Sequence, residues 1–178
     1  MGKIDQIAGP EEFARAFDVS RETLERIQTY ARLLEQWQKA VNLVAPSTLA
    51  SAWHRHFADS AQLLALAGPN PTPWLDLGSG GGFPGLVCAI LLVEKTPGAR
   101  VILAESDIRK GAFLREVARQ TGVAGMVDIL STRIESLPTQ ANLPPPAVIS
   151  ARALAALDKL FTLAAPLFAP TTIGLFLK

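Results

Sequence analysis

The chain has 178 residues, 49% hydrophobic and 19% charged, with a formal net charge of +1. That is enough chain for one sizeable core, and the charge is so balanced that a nucleic-acid partner would need a local basic patch. Its one cysteine, Cys88, excludes an internal disulfide or a cysteine-built metal site.

Met1-Gly2-Lys3-Ile4-Asp5 opens the chain without a signal-peptide stretch, so a cytoplasmic location is expected. Pro10-Glu11-Glu12 has the composition of a helix first turn, with acids at the positive end of the dipole. Ser20 is placed to cap a longer helix, in which Leu24, Ile27, Ala31, Leu34, Trp37 and Val41 recur at helical spacing. A third helix is predicted over Leu49–Leu66, with Trp53, Phe57, Ala61 and Leu64 on its apolar side. Gly68-Pro69-Asn70-Pro71-Thr72-Pro73 ends it. Strands and helices then alternate. Strands are expected at Trp74–Leu77, Val101–Glu105, Met126–Leu130, Ala147–Ser150 and Ile173–Leu177. Helices are expected at Pro84–Glu94, Arg109–Thr121 and Ala153–Ala165, with Gly122 stopping the second. The apolar run Leu86–Val93 in the first of these is too short for a bilayer, which takes ~20 residues. Cys88 inside it reads as a packed thiol rather than a nucleophile. Leu143-Pro144-Pro145-Pro146 marks a loop. The pattern predicts an α/β fold: a helical extension (residues 1–70) packed on a mostly parallel, doubly wound Rossmann-like sheet (residues 71–178). Ligands of such sheets bind beyond the carboxyl ends of the strands.

At that position stands Trp74-Leu75-Asp76-Leu77-Gly78-Ser79-Gly80-Gly81-Gly82-Phe83-Pro84-Gly85, a short strand followed by a glycine run and a helix start. Two ligand classes fit it. Gly80-Gly81-Gly82-Phe83-Pro84-Gly85 satisfies the dinucleotide pattern G-x-G-x-x-G, and Glu105 lies where a ribose-binding acid belongs. The earlier register, Asp76 and then Gly78-x-Gly80-x-Gly82, is the first motif of class I S-adenosylmethionine (SAM) methyltransferases. Asp76 favours the second reading, because a carboxylate beside the loop repels a pyrophosphate and attracts a sulfonium and an α-amino group. Glu105 can accept bonds from both ribose hydroxyls in either case. Arg133-Ile134-Glu135 would border the adenine, with Ile134 against the ring, although an amphipathic turn without a ligand fits the same residues. Asp107 and Arg109-Lys110 read as the solvated first turn of a helix.

Several stretches together resemble one family. Trp37-Gln38-Lys39-Ala40-Val41-Asn42-Leu43 is similar to its W-N-K-x-x-N-L signature, with Gln38 in place of the usual asparagine. Arg55-His56-Phe57-Ala58-Asp59-Ser60 matches R-H-x-x-D-S, and the glycine loop matches down to its Phe83-Pro84-Gly85 ending. Ser106-Asp107-Ile108-Arg109-Lys110 and Ser150-Ala151-Arg152-Ala153 match two further segments. On these residues the chain, from about Leu24 to its end, resembles the ribosomal RNA small subunit methyltransferase G family (RsmG, also GidB). The resemblance implies SAM-dependent methylation of guanine N7 in the 530 loop of 16S rRNA, at the base usually numbered 527. It implies cofactor contacts at Gly78, Phe83, Ile134, Glu135 and Arg152, to which the class I pattern adds Asp76, Gly80 and Glu105. It also implies seven strands. A chain ending at Leu177-Lys178 would lack two of them, leaving an exposed edge and an incomplete substrate face.

Guanine N7 carries a free lone pair and no proton, so its methylation needs no general base and no catalytic side chain is assigned. Arg152, near the strand ends, is expected to hold the SAM carboxylate, with a phosphate or guanine O6 as the alternative. Without a ligand it would form a surface pair with Asp158. His54 and His56 invite an acid–base role that this chemistry does not use. Arg55, His56 and Asp59 are expected to brace the N-terminal helices against the glycine loop. Arg32, Lys39, Arg55, Arg109, Lys110 and Lys178 could form a basic face for 16S rRNA or the small subunit. Two other functions remain open from sequence: an NAD(P)-dependent oxidoreductase, and a SAM-binding module without catalysis.

Overall fold

Strands β1 (Trp74–Leu77), β2 (Val101–Ala104), β3 (Val127–Leu130), β4 (Val148–Arg152) and β5 (Ile173–Leu177) form one parallel sheet in the order β3-β2-β1-β4-β5. The computed structural model describes residues 6–139, 143–154 and 156–177. β1 is central. The chain winds outward from it to β3, then returns to place β4 on its other side, so the switch point of the sheet lies at the carboxyl end of β1. The residues of β1 and β2 are all buried, as strands covered on both faces must be.

Alternation along the strands sorts two cores. Trp74, Val101, Leu103, Val148 and Leu175 face α4 (Gly85–Lys95) and α5 (Ile108–Gln120), with α1 (Pro10–Phe17) and α2 (Arg21–Gln38) stacked behind. Leu75, Leu77, Ile102, Ala104, Ile149 and Ala151 face the other way. They pack on the 3-10 segment Ile134–Thr139 and on α6 (Leu157–Ala164) through Ile134, Leu137, Leu160 and Ala164. α4 is buried from Gly85 to Leu92, because the sheet covers one side of it and the N-terminal helices the other. Cys88 lies inside it without exposure, its thiol 3.7 Å from the Ser60 carbonyl.

Ser20 caps α2, its hydroxyl accepting from the Thr23 amide at 3.0 Å. The buried stripe of α2 is Thr23, Ile27, Tyr30, Leu33 and Leu34. The predicted Leu24, Ala31 and Trp37 are only half-buried. α2 lies against both α4 and α5, which turns its stripe toward Tyr30 and Leu33.

The third predicted helix is a composite. A 3-10 segment (Pro46–Ser51) leads into a π-helical stretch (Trp53–Ala58), an α-turn α3 (Asp59–Ala61) and a second 3-10 turn (Gln62–Ala65). In the π stretch the Asp59 amide donates to the His54 carbonyl, and His56, Phe57 and Ala58 are buried in succession. Such wide turns mark functional positions more often than other helical geometries do. The last helix also differs from expectation. β4 continues through Arg152, paired with Leu177, and Ala153 then turns the chain at φ 49°, so α6 begins only at Leu157. Gly122 ends α5 at φ 73°, as predicted. Among the described residues no helix is long and apolar enough to cross a membrane.

Candidate active site

The glycine loop joins β1 to α4 at the switch point. It closes on itself through Ser79, whose carbonyl accepts from the amides of Gly82 at 2.7 Å and Phe83 at 3.2 Å. Gly82 sits at φ 91°, and a side chain there would collide with the Tyr30 hydroxyl. That hydroxyl donates to the Gly81 carbonyl, and the Tyr30 ring stacks on Phe83 with centroids 5.2 Å apart. Burial pushes the Tyr30 pKa well above its ordinary value, so the phenol remains a donor. Helix α2 therefore holds the loop directly.

Asp76 lies beneath the loop and has no exposure. Its carboxylate accepts from the Ser150 hydroxyl at 2.6 Å and from the Gly85 amide at 3.3 Å, and the Trp74 indole donates to the same Ser150 oxygen at 2.8 Å. Asp76 and Ser150 are direct partners in the β1–β4 register. Burial raises the Asp76 pKa to about 6, against the lowering effect of these hydrogen bonds. The structure thus differs from the sequence expectation that Asp76 is a wall of the ligand site: it fastens the loop and α4 from below.

Glu105 closes the loop from the other side. One carboxylate oxygen accepts from the Gly80 amide and the other from the Asp107 amide, each at 2.8 Å. Asp107 caps α5, accepting from the amides of Arg109 and Lys110, so it belongs to the helix start as expected. Gly78, Gly80, Glu105, Ile134, Glu135 and Arg152 all line one groove of about 410 Å³ above the strand ends. Six of the eight predicted cofactor residues are thereby brought together. Phe83 lines an adjoining groove of about 540 Å³, which also contains Asn42, Arg55, His56 and Asp59 and shares Gly78, Gly80, Lys110 and Arg152 with the first.

Gln38, where the sequence departs from the family signature, ties down the segment bordering this second groove. Its amide nitrogen donates to the Val44 carbonyl at 2.8 Å, and its amide oxygen accepts from Leu43 and Val44 at 3.0 and 3.1 Å.

Arg152 stands where the grooves meet. Its Nη1 donates to the Arg55 carbonyl at 2.9 Å and contacts His56 Nδ1 at 2.6 Å, and its guanidinium carbon lies 4.9 Å from the centre of the Phe83 ring. These partners replace the suggested pairing with Asp158. Burial first, then Arg152 and Arg55, lower the His56 pKa to about 4. His54 is engaged elsewhere, its Nδ1 accepting from the Ile7 amide at 3.2 Å. Of the suggested basic face, Arg55 and Lys110 line the second groove, while Arg32 bonds Gln36 and Gln120 across α2 and α5. Arg109 lies 3.7 Å from Asp107, and Lys178 is outside the described residues. Arg133 and Lys159 line the first groove and complete its cationic rim.

Sequence reasoning missed Tyr30 and Ser150. Both left a trace. Tyr30 falls three residues after Ile27 on the buried face of α2, and Ser150 is a lone hydroxyl in an apolar strand, two residues before Arg152 on the same face.

A parallel sheet with a glycine loop at its switch point and an acid at the end of the neighbouring strand defines the class I SAM-dependent methyltransferase fold. Solved structures share it. An O-methyltransferase from Bacillus cereus in complex with S-adenosylhomocysteine superposes with a TM-score of 0.61 at 20% identity, over 95% of this chain and 72% of that one. The rRNA small subunit methyltransferase G (GidB) family matches residues 23–178, and the chain belongs to that family. Ribosomal RNA small subunit methyltransferase G of Parvibaculum lavamentivorans is 53% identical over 97% of this chain and 74% of its own length. The protein of that name from Cereibacter sphaeroides is 50% identical over 94% and 79%. An RNA methyltransferase from Salinibacter ruber, solved in complex with S-adenosylhomocysteine, has a TM-score of 0.50 and 25% identity, covering 67% of this chain and 75% of that one. Family membership sets aside the oxidoreductase reading of the glycine loop.

Proposed function

We infer that this protein transfers the methyl group of SAM to N7 of a guanine in the 530 loop of 16S rRNA, at the base usually numbered 527. The observation that carries this reading is the membership of a small-subunit rRNA methyltransferase family, joined to a cation-rimmed groove at the switch point. SAM supplies a methyl group already activated on a sulfonium. Glu105 is assigned to the ribose hydroxyls, and Ile134 and Glu135 to the adenine end. Gly78 and Gly80 allow close backbone approach, while Phe83 and Arg152 form the carboxylate end. Asp76 acts on the cofactor only through the loop that it holds.

The second groove, with Arg55 and Lys110 on its wall, is assigned to the RNA. A base must be splayed out of its loop to enter it. N7 attacks with its own lone pair, no proton moves, and the purine gains the positive charge that the sulfonium loses. The site suits such a reaction: the His56 imidazole has both ring nitrogens bonded, to Arg152 and to Thr48. Catalysis is then alignment of nucleophile, methyl and leaving sulfur, which supplies ~7 kcal/mol or more in favourable cases.

Tritiated methyl transfer from SAM to 30S subunits and to naked 16S rRNA tests the reading. Borohydride and aniline treatment, which breaks RNA at N7-methylguanosine, should then cut the product at one guanine of the 530 loop. Label that survives this treatment, or that maps elsewhere, would overturn the assignment.

A further inference from the structure

His56 borders the groove assigned to the RNA, yet methyl transfer to a ring nitrogen leaves an imidazole without a chemical task. Its contacts show what else it does. A guanidinium has no acceptor, so the 2.6 Å contact with Arg152 Nη1 requires an unprotonated Nδ1. The ring proton is then on Nε2, which donates to Thr48 Oγ1 at 2.8 Å. The Thr48 hydroxyl in turn donates to the Ala45 carbonyl at 2.7 Å. Thr48 thereby fixes the tautomer that Arg152 needs. The Arg55 carbonyl, on the same π-helical stretch, accepts from the same Nη1. Below them Phe83 meets both partners, with the His56 ring centre at 5.1 Å and the guanidinium at 4.9 Å. One end of the guanidinium is held by two acceptors and a ring face; among the described residues Nε and Nη2 make no hydrogen bond, which leaves them to a ligand.

We propose that His56 is a positioning residue: with its proton kept on Nε2 by Thr48, its Nδ1 aims the Arg152 guanidinium into the ligand groove. The proposal rests on reading that groove as the active site. The charged groups facing the imidazole are Arg152 from β4 and Arg55 from its own helical stretch. On Arg152, Asp76 and Asp59 act as opposite charges and Arg55 as a like one, while Tyr30 stays a neutral phenol. Burial and both cations keep the ring neutral, so the contact is a fixed brace through the physiological range rather than a switch.

The test compares the wild type with Arg152→Lys, His56→Phe, His56→Asn, Thr48→Val and the Arg152→Lys/His56→Phe double variant. S-adenosylhomocysteine affinity is measured by calorimetry and methyl transfer to 30S subunits by kcat and KM. Whichever parameter Arg152→Lys changes, His56→Phe should change the same one, by ~10-fold, and add nothing in the double variant. His56→Asn, which keeps an acceptor near the Nδ1 position, should recover most of the loss, and Thr48→Val should fall between. Imidazole nitrogen NMR of the wild type should show His56 Nδ1 unprotonated and Nε2 protonated at neutral pH. Additive losses in the double variant, or a protonated Nδ1, would overturn the proposal. Absence of rRNA methylation by the wild type would instead count against the proposed function, with the affinity cycle and the NMR signals still deciding on His56. If His56→Phe fails to fold, His56→Asn, Thr48→Val and the NMR signals decide.

Discussion

Two buried titratable side chains of the site respond to pH in opposite senses. Asp76 has its pKa raised to about 6, so it stabilises the fold at acid pH and loses that contribution as pH rises from about 4 to about 6. His56 has its pKa lowered to about 4, so its contribution is complete above about 6.5 and is lost as pH falls toward 4. Over the window the two share, the contributions run in opposite directions and offset each other. Urea midpoints of the wild type should therefore be nearly flat from about pH 4 to about pH 6. His56→Gln should expose a stability that falls with rising pH, and Asp76→Asn one that rises. Parallel profiles for both variants would refute the compensation. Tyr30 acts through a hydroxyl alone. Tyr30→Phe leaves the ring stacked on Phe83 but removes the donor to Gly81, and should cost about 1–2 kcal/mol in urea denaturation. It should also weaken S-adenosylhomocysteine binding, since the carbonyl it releases belongs to the loop.

At the scale of the element, the glycine loop permits a sharper pair of tests. Gly80 sits at φ 56° with ordinary space around its missing Cβ, whereas Gly82 at φ 91° is closed by the Tyr30 hydroxyl. Gly80→Val should abolish S-adenosylmethionine binding in calorimetry while leaving a folded protein weakened by roughly 1–2 kcal/mol of backbone strain. Gly82→Ala should unfold at a lower temperature than Gly80→Val despite its smaller side chain. The reverse order would mean that Tyr30 does not define the loop. The elements themselves were legible wherever the signal is local. The apolar run Trp74–Leu77 between prolines and glycines fixed β1, and Ser20 and Gly122 marked a helix start and a helix stop. The composite helix was not legible as such, because the contacts His56 and Phe57 of the π stretch make, with Arg152 and Phe83, join segments far apart in the chain. α6 was placed early because Ala153 reads as a helix former, while the pairing of Arg152 with Leu177 extends the strand up to it and Ala153 then turns the chain. The groove residues followed the same division. Gly78, Gly80 and Glu105 were readable from one loop and one strand end. The roles of Tyr30, His56 and Ser150 depend on which elements lie side by side, which spacing along the chain does not encode.

Across the whole molecule, one apolar cluster runs from Phe13, Ile27 and Phe57 of the N-terminal helices to Leu86 of α4 and to Trp74 and Val148 in the sheet. We read residues 1–70 as an extension that shares the methyltransferase core rather than as a unit with its own. Unfolding should then be a single transition, with far-ultraviolet dichroism and tryptophan emission coinciding, since Trp37 and Trp53 sit in the extension and Trp74 in the sheet. Two resolved transitions would contradict this. On that reading the shared core also accounts for the geometry of the candidate site. Its glycines and acids come from the sheet, but the groups that hold Phe83 and Arg152 in place come from α2 and the π stretch.

The indole of Trp74 has a further use. It donates to Ser150, whose hydroxyl donates to Asp76, so a fully buried chromophore stands one hydroxyl away from the carboxylate beneath the loop. Gain or loss of that carboxylate's proton changes the electric field along the indole. In a Trp37→Phe/Trp53→Phe background the emission wavelength of Trp74 becomes an optical titration of Asp76. A bound cofactor that tightens the loop can be followed through the same colour shift, without a label and without turnover.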